Sequence, residues 1–140
     1  MNTEQGISNK EMIKDQTADQ RKFDLEERLI DFAVLVIEIS ESLYHAAAGS
    51  HISGQIVRSG TSPALQYGEA QSAESRNDFI HKLKILLKEL RETMVGLKII
   101  KRVPLTNKME IVEKGLDECN QLISIFNKSV ETAKKNNLKR

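Results

Sequence analysis

Leu25, Leu29, Phe32, Val36, Ile39 and Leu43 follow one another at alternating steps of four and three residues. A step averaging 3.5 residues returns each side chain to the same stripe of an α-helix, so the pattern specifies a helix with one continuous apolar seam. The pattern recurs in Phe79, Leu83, Leu86, Leu90, Thr93, Leu97 and Ile100, and again in Met109, Val112, Leu116, Cys119, Ile123, Phe126, Val130 and Ala133. A looser stripe, Ile52, Ile56, Gly60, Pro63, Tyr67 and Ala70, lies between the first and second of these runs. No segment shows the alternation of a strand. Four helices with one seam each must bury those seams against one another, and their short connections make neighbours antiparallel. The fold class is therefore all-α, an antiparallel up-down-up-down four-helix bundle.

Local signals place the ends. Asp24 with Glu27 three residues on is a capping pair for helix 1. Gly49 suits the position after a helix and Ser50 the cap of helix 2; Ser75 with Asp78 opens helix 3, Val103-Pro104 stops it, and Thr106 or Asn107 caps helix 4. Residues 1–22 are polar and aperiodic, which reads as a flexible N-terminal arm. Residues 23–135 form the bundle and 136–140 a basic C-terminal tail. Pro63 cannot donate to the Ser59 carbonyl and crowds it, so a kink or local opening is expected near Ser59 to Ser62.

A chain of 140 residues fits one domain and buries enough surface to need no metal or disulfide. Cys119 is the only cysteine, so no intramolecular disulfide can form, which fits a reducing cytoplasm. The longest apolar run, Leu29 to Ile39, is interrupted by Asp31 and Glu38. It falls short of the roughly 20 apolar residues of a spanning helix, so no membrane association is expected.

The formal net charge of +1 conceals a gradient. Residues 24–48 carry Arg28 against Asp24, Glu26, Glu27, Asp31, Glu38 and Glu41, a net −5. Residues 76–103 carry eight lysines and arginines against Asp78, Glu89 and Glu92, a net +5. Such helices can pair within or between subunits, or offer a polyanion one basic stripe. On helix 3 that stripe is Lys84, Lys88, Arg91, Lys98 and Arg102, the candidate contact for RNA or DNA. With few aromatics to stack on bases, binding there would be directed at phosphate and sensitive to salt.

Motifs for chemistry are missing. The Glu-x-x-His pair of di-iron bundles does not occur, and His45, His51 and His81 fall at a helix end, a helix start and a polar face. Cys119 lies on an apolar stripe, where a small buried residue fits. Neither phosphate-binding glycine motif is present. No catalytic residue, cofactor site or metal site is therefore assigned, and the chain reads as a non-enzyme. Instead, the helix 2–3 hairpin register brings together a structural polar network of Arg58, Ser62, Glu69 and Glu92. Arg58 is placed within reach of Glu92, as a buried pair, and Glu69 within reach of Lys82 or Lys88, with Ser59 and Thr93 as further members. Helix 1 also carries Ile30, Val34 and Ile37 away from its seam. A helix buried on one side does not need them, which marks them as an oligomer interface.

RSGTSPA at 58–64, Glu69-Ala70-Gln71 and ESRNDFIHKLKILLKELRET at 74–93 resemble the four-helix bundle proteins named after the intervening sequences of bacterial 23S ribosomal RNA genes. The resemblance spans about residues 23–130 and is most specific in the helix 2–3 hairpin. The group is similar to the accessory variability protein of diversity-generating retroelements. The resemblance implies a homopentamer without enzymatic activity, and, through the retroelement relative, binding to nucleic acid and to a reverse transcriptase. The chain departs from the pattern at Gln66, where Asn is usual, and at Val95-Gly96, where an aromatic pair is usual. Two functions follow as expectations: a homo-oligomeric, nucleic-acid-associated bundle, or a purely structural or partner-docking bundle.

Overall fold

In the computed structural model, which describes residues 5–138 with side chains from Asp24 onward, four helices follow in order. They are α1 (Gln5–Ser42), α2 (Ala47–Gln71), α3 (Arg76–Arg102) and α4 (Met109–Leu138). Among the described residues there is no strand. Cross-helix contacts set the direction of each helix. Ser53 reaches the Ser40 carbonyl and Gly60 packs on Val36, Arg58 reaches Glu89 and Glu92, Lys82 reaches Glu69, Arg91 reaches Asn127, and Lys101 reaches Glu113. Numbers rise on one helix as they fall on its neighbour, so every consecutive pair is antiparallel and the topology is up-down-up-down. α1 and α3 occupy opposite corners, and α1 meets α4 over a much shorter stretch than the other neighbours share.

The predicted seams form the core. Leu29, Phe32, Val36 and Ile39 of α1 and Leu43 just beyond it are buried, as are Ile56, Gly60, Pro63, Tyr67 and Ala70 of α2. α3 contributes Leu83, Leu86, Leu90, Thr93, Leu97 and Ile100. On α4 the buried line runs through Val112, Gly115, Cys119, Leu122, Phe126, Val130 and Ala133, while Leu116 and Ile123 are only half-buried. A Cβ on Gly115 would lie 2.9 Å from Ile39 Cδ1 and 3.3 Å from Leu97 Cδ1. The missing side chain lets α1 and α3 close in, and the helix turns that side inward.

Several ends differ from expectation. α1 does not start at Asp24 but runs back to Gln5, through the stretch read as an arm. Beyond Gly6 that stretch contains no glycine or proline, so a helix already nucleated by packing extends through it without meeting a breaker. α4 likewise continues through Leu138, past the start of the expected tail; Lys139 and Arg140 lie outside the described residues. α2 runs through Pro63 as one unbroken helix. There the Thr61 hydroxyl donates to the Val57 carbonyl at 2.7 Å.

Gly49 is neither a helix end nor exposed. α2 begins at Ala47 behind an Ala46 that makes no side-chain cap, and Gly49 is buried in the first turn. There a Cβ would strike the Tyr44 carbonyl. Tertiary contacts anchor this corner in place of a local cap: Tyr44 N–H donates to the Leu105 carbonyl at 2.8 Å. Beside it, buried Thr106 lies 2.9 Å from the Ser42 hydroxyl and accepts the Lys108 N–H at 3.1 Å, a turn just ahead of α4 rather than a cap on the helix itself. Ser75 caps α3 by accepting Asp78 N–H at 3.0 Å.

Candidate interaction surface

The hairpin of α2 and α3 brings together most of the predicted polar network, but not as a buried cluster. Arg58 lies 3.4 Å from Glu89 and 3.2 Å from Glu92, and its side chain is 59% exposed. The expected partner is correct and the expected burial is not. Arg58 sits on the outer side of α2 and reaches across the rim of the seam, where two carboxylates one turn apart share it. Glu69 pairs with Lys82 at 2.9 Å rather than with Lys88. Inside the seam, the Ser59 and Thr93 hydroxyls are hydrogen-bonded at 2.8 Å. Ser62 is half-buried and, among the described residues, takes no part. Because an exposed pair with a second carboxylate at hand contributes little, Glu92→Ala is expected to cost less than about 1 kcal/mol in chemical denaturation. A buried pair would cost about 3–5 kcal/mol.

All five cations of the candidate nucleic-acid stripe are exposed on the outward face of α3. Lys84, Lys88, Lys98 and Arg102 have no ion-pair partner among the described residues, and Arg91 donates to the Asn127 side chain of α4 at 2.9 Å. The stripe is not purely ionic. Val95, 57% exposed, and Ile99, 40% exposed, sit among the cations. Lys98 and Arg102 also overhang a groove between α3 and α4 whose apolar floor is Met94 and Leu116. Lys101, at its edge, is held by Glu113 at 2.7 Å.

The outward face of α1 shows the opposite charge. Ile30, Val34 and Ile37 are 40%, 58% and 39% exposed. The sequence flagged these three as surplus, and their own bundle leaves them uncovered. Glu27, Asp31, Glu38 and Glu41 are exposed on the same side of the helix.

The strongest polar link between distant parts of the chain was not legible beforehand. Arg28 donates through Nε and Nη2 to both oxygens of Glu118, at 3.0 and 2.9 Å, and Nη2 also reaches Gln121 at 3.3 Å. The hydrogen bonds to Glu118 hold the guanidinium pKa above its ordinary value. This fork ties α1 to α4. Its partners lie 90 residues apart, and nothing local in either segment announces it.

Cys119 is fully buried, and its Sγ donates to the Leu90 carbonyl at 3.2 Å. Burial pushes the thiol pKa up to about 12 from the usual 9.0. The reactive thiolate is thus scarce near neutral pH. Alkylation by iodoacetamide at pH 8 is expected to be at least ten-fold slower in the native protein than in denaturant. Equal rates would show the site open. Among the described residues, no group of three or more His, Cys, Asp or Glu side chains could hold a metal ion, and no helix is long and apolar enough to cross a membrane.

The sequence model describing the 23S rRNA-intervening sequence protein matches residues 21–128, most of the chain. The chain belongs to that family. A crystal structure at 1.70 Å resolution of a protein with unknown function from the S23 ribosomal protein family of Bacteroides thetaiotaomicron is similar to it. The two share 28% identity with a TM-score of 0.71, over 79% of this chain and 97% of that one. No curated protein matches the chain. The matched span of this 23S rRNA-intervening sequence family member holds the full described length of α2 and α3 and most of α4, together with both charged faces. It ends before the last turns of α4.

Proposed function

We propose that this chain is a non-enzymatic, self-associating helical bundle, a homopentamer as the family resemblance implies, acting in the cytoplasm. The observation that carries the reading is the outward face of α1. The bundle completes its core without Ile30, Val34 and Ile37 and leaves all three in water. Three neighbouring aliphatic side chains on one exposed helix face are a feature of association surfaces rather than of a monomer's exterior. Light scattering at micromolar concentration tests it: the expected mass is five times that of the chain, and Val34→Glu lowers it. A monomeric wild type overturns the reading.

A second reading, association with RNA or DNA, is supported by Lys84, Lys88, Lys98 and Arg102, exposed cations with no ion-pair partner among the described residues. Phosphate contacts through that stripe would give affinity that falls steeply with salt and depends little on sequence. An anisotropy titration at low salt, wild type beside Lys84→Glu/Lys88→Glu/Arg91→Glu/Lys98→Glu, tests it, with loss of binding expected in the variant. A protein partner such as a reverse transcriptase belongs to the same reading and rests on the resemblance alone. A purely structural or partner-docking role is what remains if neither protein binds nucleic acid.

A further inference from the structure

We infer that the basic face of α3 is the seat for the acidic face of α1 from a second copy of this chain. The inference rests on the self-association proposed above and names the surfaces that carry it. Both faces have the same construction with opposite charge. On α1, Ile30, Val34 and Ile37 are exposed and bordered by Glu27, Asp31, Glu38 and Glu41. On α3, Val95 and Ile99 are exposed among Lys84, Lys88, Arg91, Lys98 and Arg102. At 1.5 Å per residue, the acids from Glu27 to Glu41 span about 21 Å and the cations from Lys84 to Arg102 about 27 Å. Each apolar centre can therefore lie on the other with the charged borders in register.

The apolar residues decide what the stripe receives. A phosphate backbone matches cations but leaves exposed Val95 and Ile99 facing charged, hydrated groups. An acidic helix with an aliphatic centre matches both. Glu27, Asp31, Glu38 and Glu41 of α1 and Lys84, Lys88, Lys98 and Arg102 of α3 have no ion-pair partner among the described residues, so each face is available. Because α1 and α3 occupy opposite corners of the bundle, one chain cannot close this contact on itself. The contact joins two different faces, so it is heterologous and propagates from copy to copy until it closes.

Charge reversal tests the pairing. Glu27→Lys/Glu38→Lys/Glu41→Lys and Lys84→Glu/Lys88→Glu/Lys98→Glu alter exposed helical positions only, and circular dichroism checks that each variant folds. Light scattering is expected to give the single-chain mass for each triple variant, and the wild-type mass for the six-fold variant that carries both. On the wild type itself, a zero-length carboxyl-to-amine cross-linker should join α1 glutamates to α3 lysines, links that the opposite-corner geometry makes intermolecular. If the wild type is oligomeric, triple variants that keep its mass, or cross-links without any α1–α3 pair, overturn this interface and leave self-association standing. A monomeric wild type removes both. Loss of oligonucleotide binding by the lysine variant at unchanged mass assigns the stripe to polyanions and overturns the inference.

Discussion

Phe126→Ala is expected to lower the unfolding free energy by about 3–5 kcal/mol, the cost of removing a fully buried aromatic ring from a close-packed core. Phe126 is 1% exposed, and its ring meets that of Tyr67 edge to face, with centroids 5.7 Å apart and planes at 71°. The pair joins diagonal helices α2 and α4 through the centre of the bundle, so truncation opens a void that neither neighbour can fill alone. The edge-to-face geometry adds about 0.5–1.5 kcal/mol beyond area, and a double-mutant cycle with Tyr67→Ala isolates it. Guanidinium denaturation at fixed chain concentration checks the main effect. A loss below about 1 kcal/mol would mean that the ring is not packed as described.

The second large effect is one of sign. Helix propensity says that Gly60→Ala should stabilise α2 by about 1 kcal/mol. The packing says otherwise. A Cβ there would lie 2.6 Å from Val36 Cγ1 and 2.9 Å from Val36 Cβ and Cγ2. Val36 is fully buried, and a β-branched residue in a helix has essentially one rotamer to offer. The helices must part, so a net loss of about 1–3 kcal/mol is expected. Gly68→Ala is the control: nothing lies within 4 Å of its added Cβ, and the same substitution should raise stability by about 0.5–1 kcal/mol. Two glycines of one helix should thus move the denaturation midpoint in opposite directions.

These glycines also show what a sequence of this kind conceals. The seams of α1 and α3 were legible because Leu, Ile, Val and Phe at seven-residue spacing have only one way to avoid water. Gly115 was not, since a residue without a side chain has no hydropathy and its burial depends on what approaches it. The four/three reading accordingly took Leu116 and Ile123 for core, and the helix faces inward about one residue away. Gly96 stood out only as a departure from the family pattern, yet it is buried, and a Cβ there would lie 2.6 Å from Ile56 Cγ2. The hairpin register found the Arg58–Glu92 and Glu69–Lys82 contacts because antiparallel neighbours around a short turn pair by simple counting. It could not tell that Arg58 would face water, which depends on the rotation of α2 about its axis. The surplus of Ile30, Val34 and Ile37 was visible beforehand. The exposure of Val95 and Ile99 was not, because on paper they sit beside a seam that could have absorbed them.

The Arg28–Glu118 fork has a consequence for the order in which the bundle assembles. α2 and α3 meet across a turn of a few residues, and α3 and α4 do the same, so those contacts form with little chain to bring together. The fork closes a loop of 90 residues. The entropic cost of closure rises only slowly, by about 0.6 kcal/mol per doubling of length, but it falls on the shortest seam of the bundle. All four helices can therefore stand as a consecutive row, joined by three seams, before the α1–α4 contact makes it a ring. The α1–α4 edge is expected to be the last to join on folding and the first to part in local opening, with amides along it exchanging ahead of those between α2 and α3.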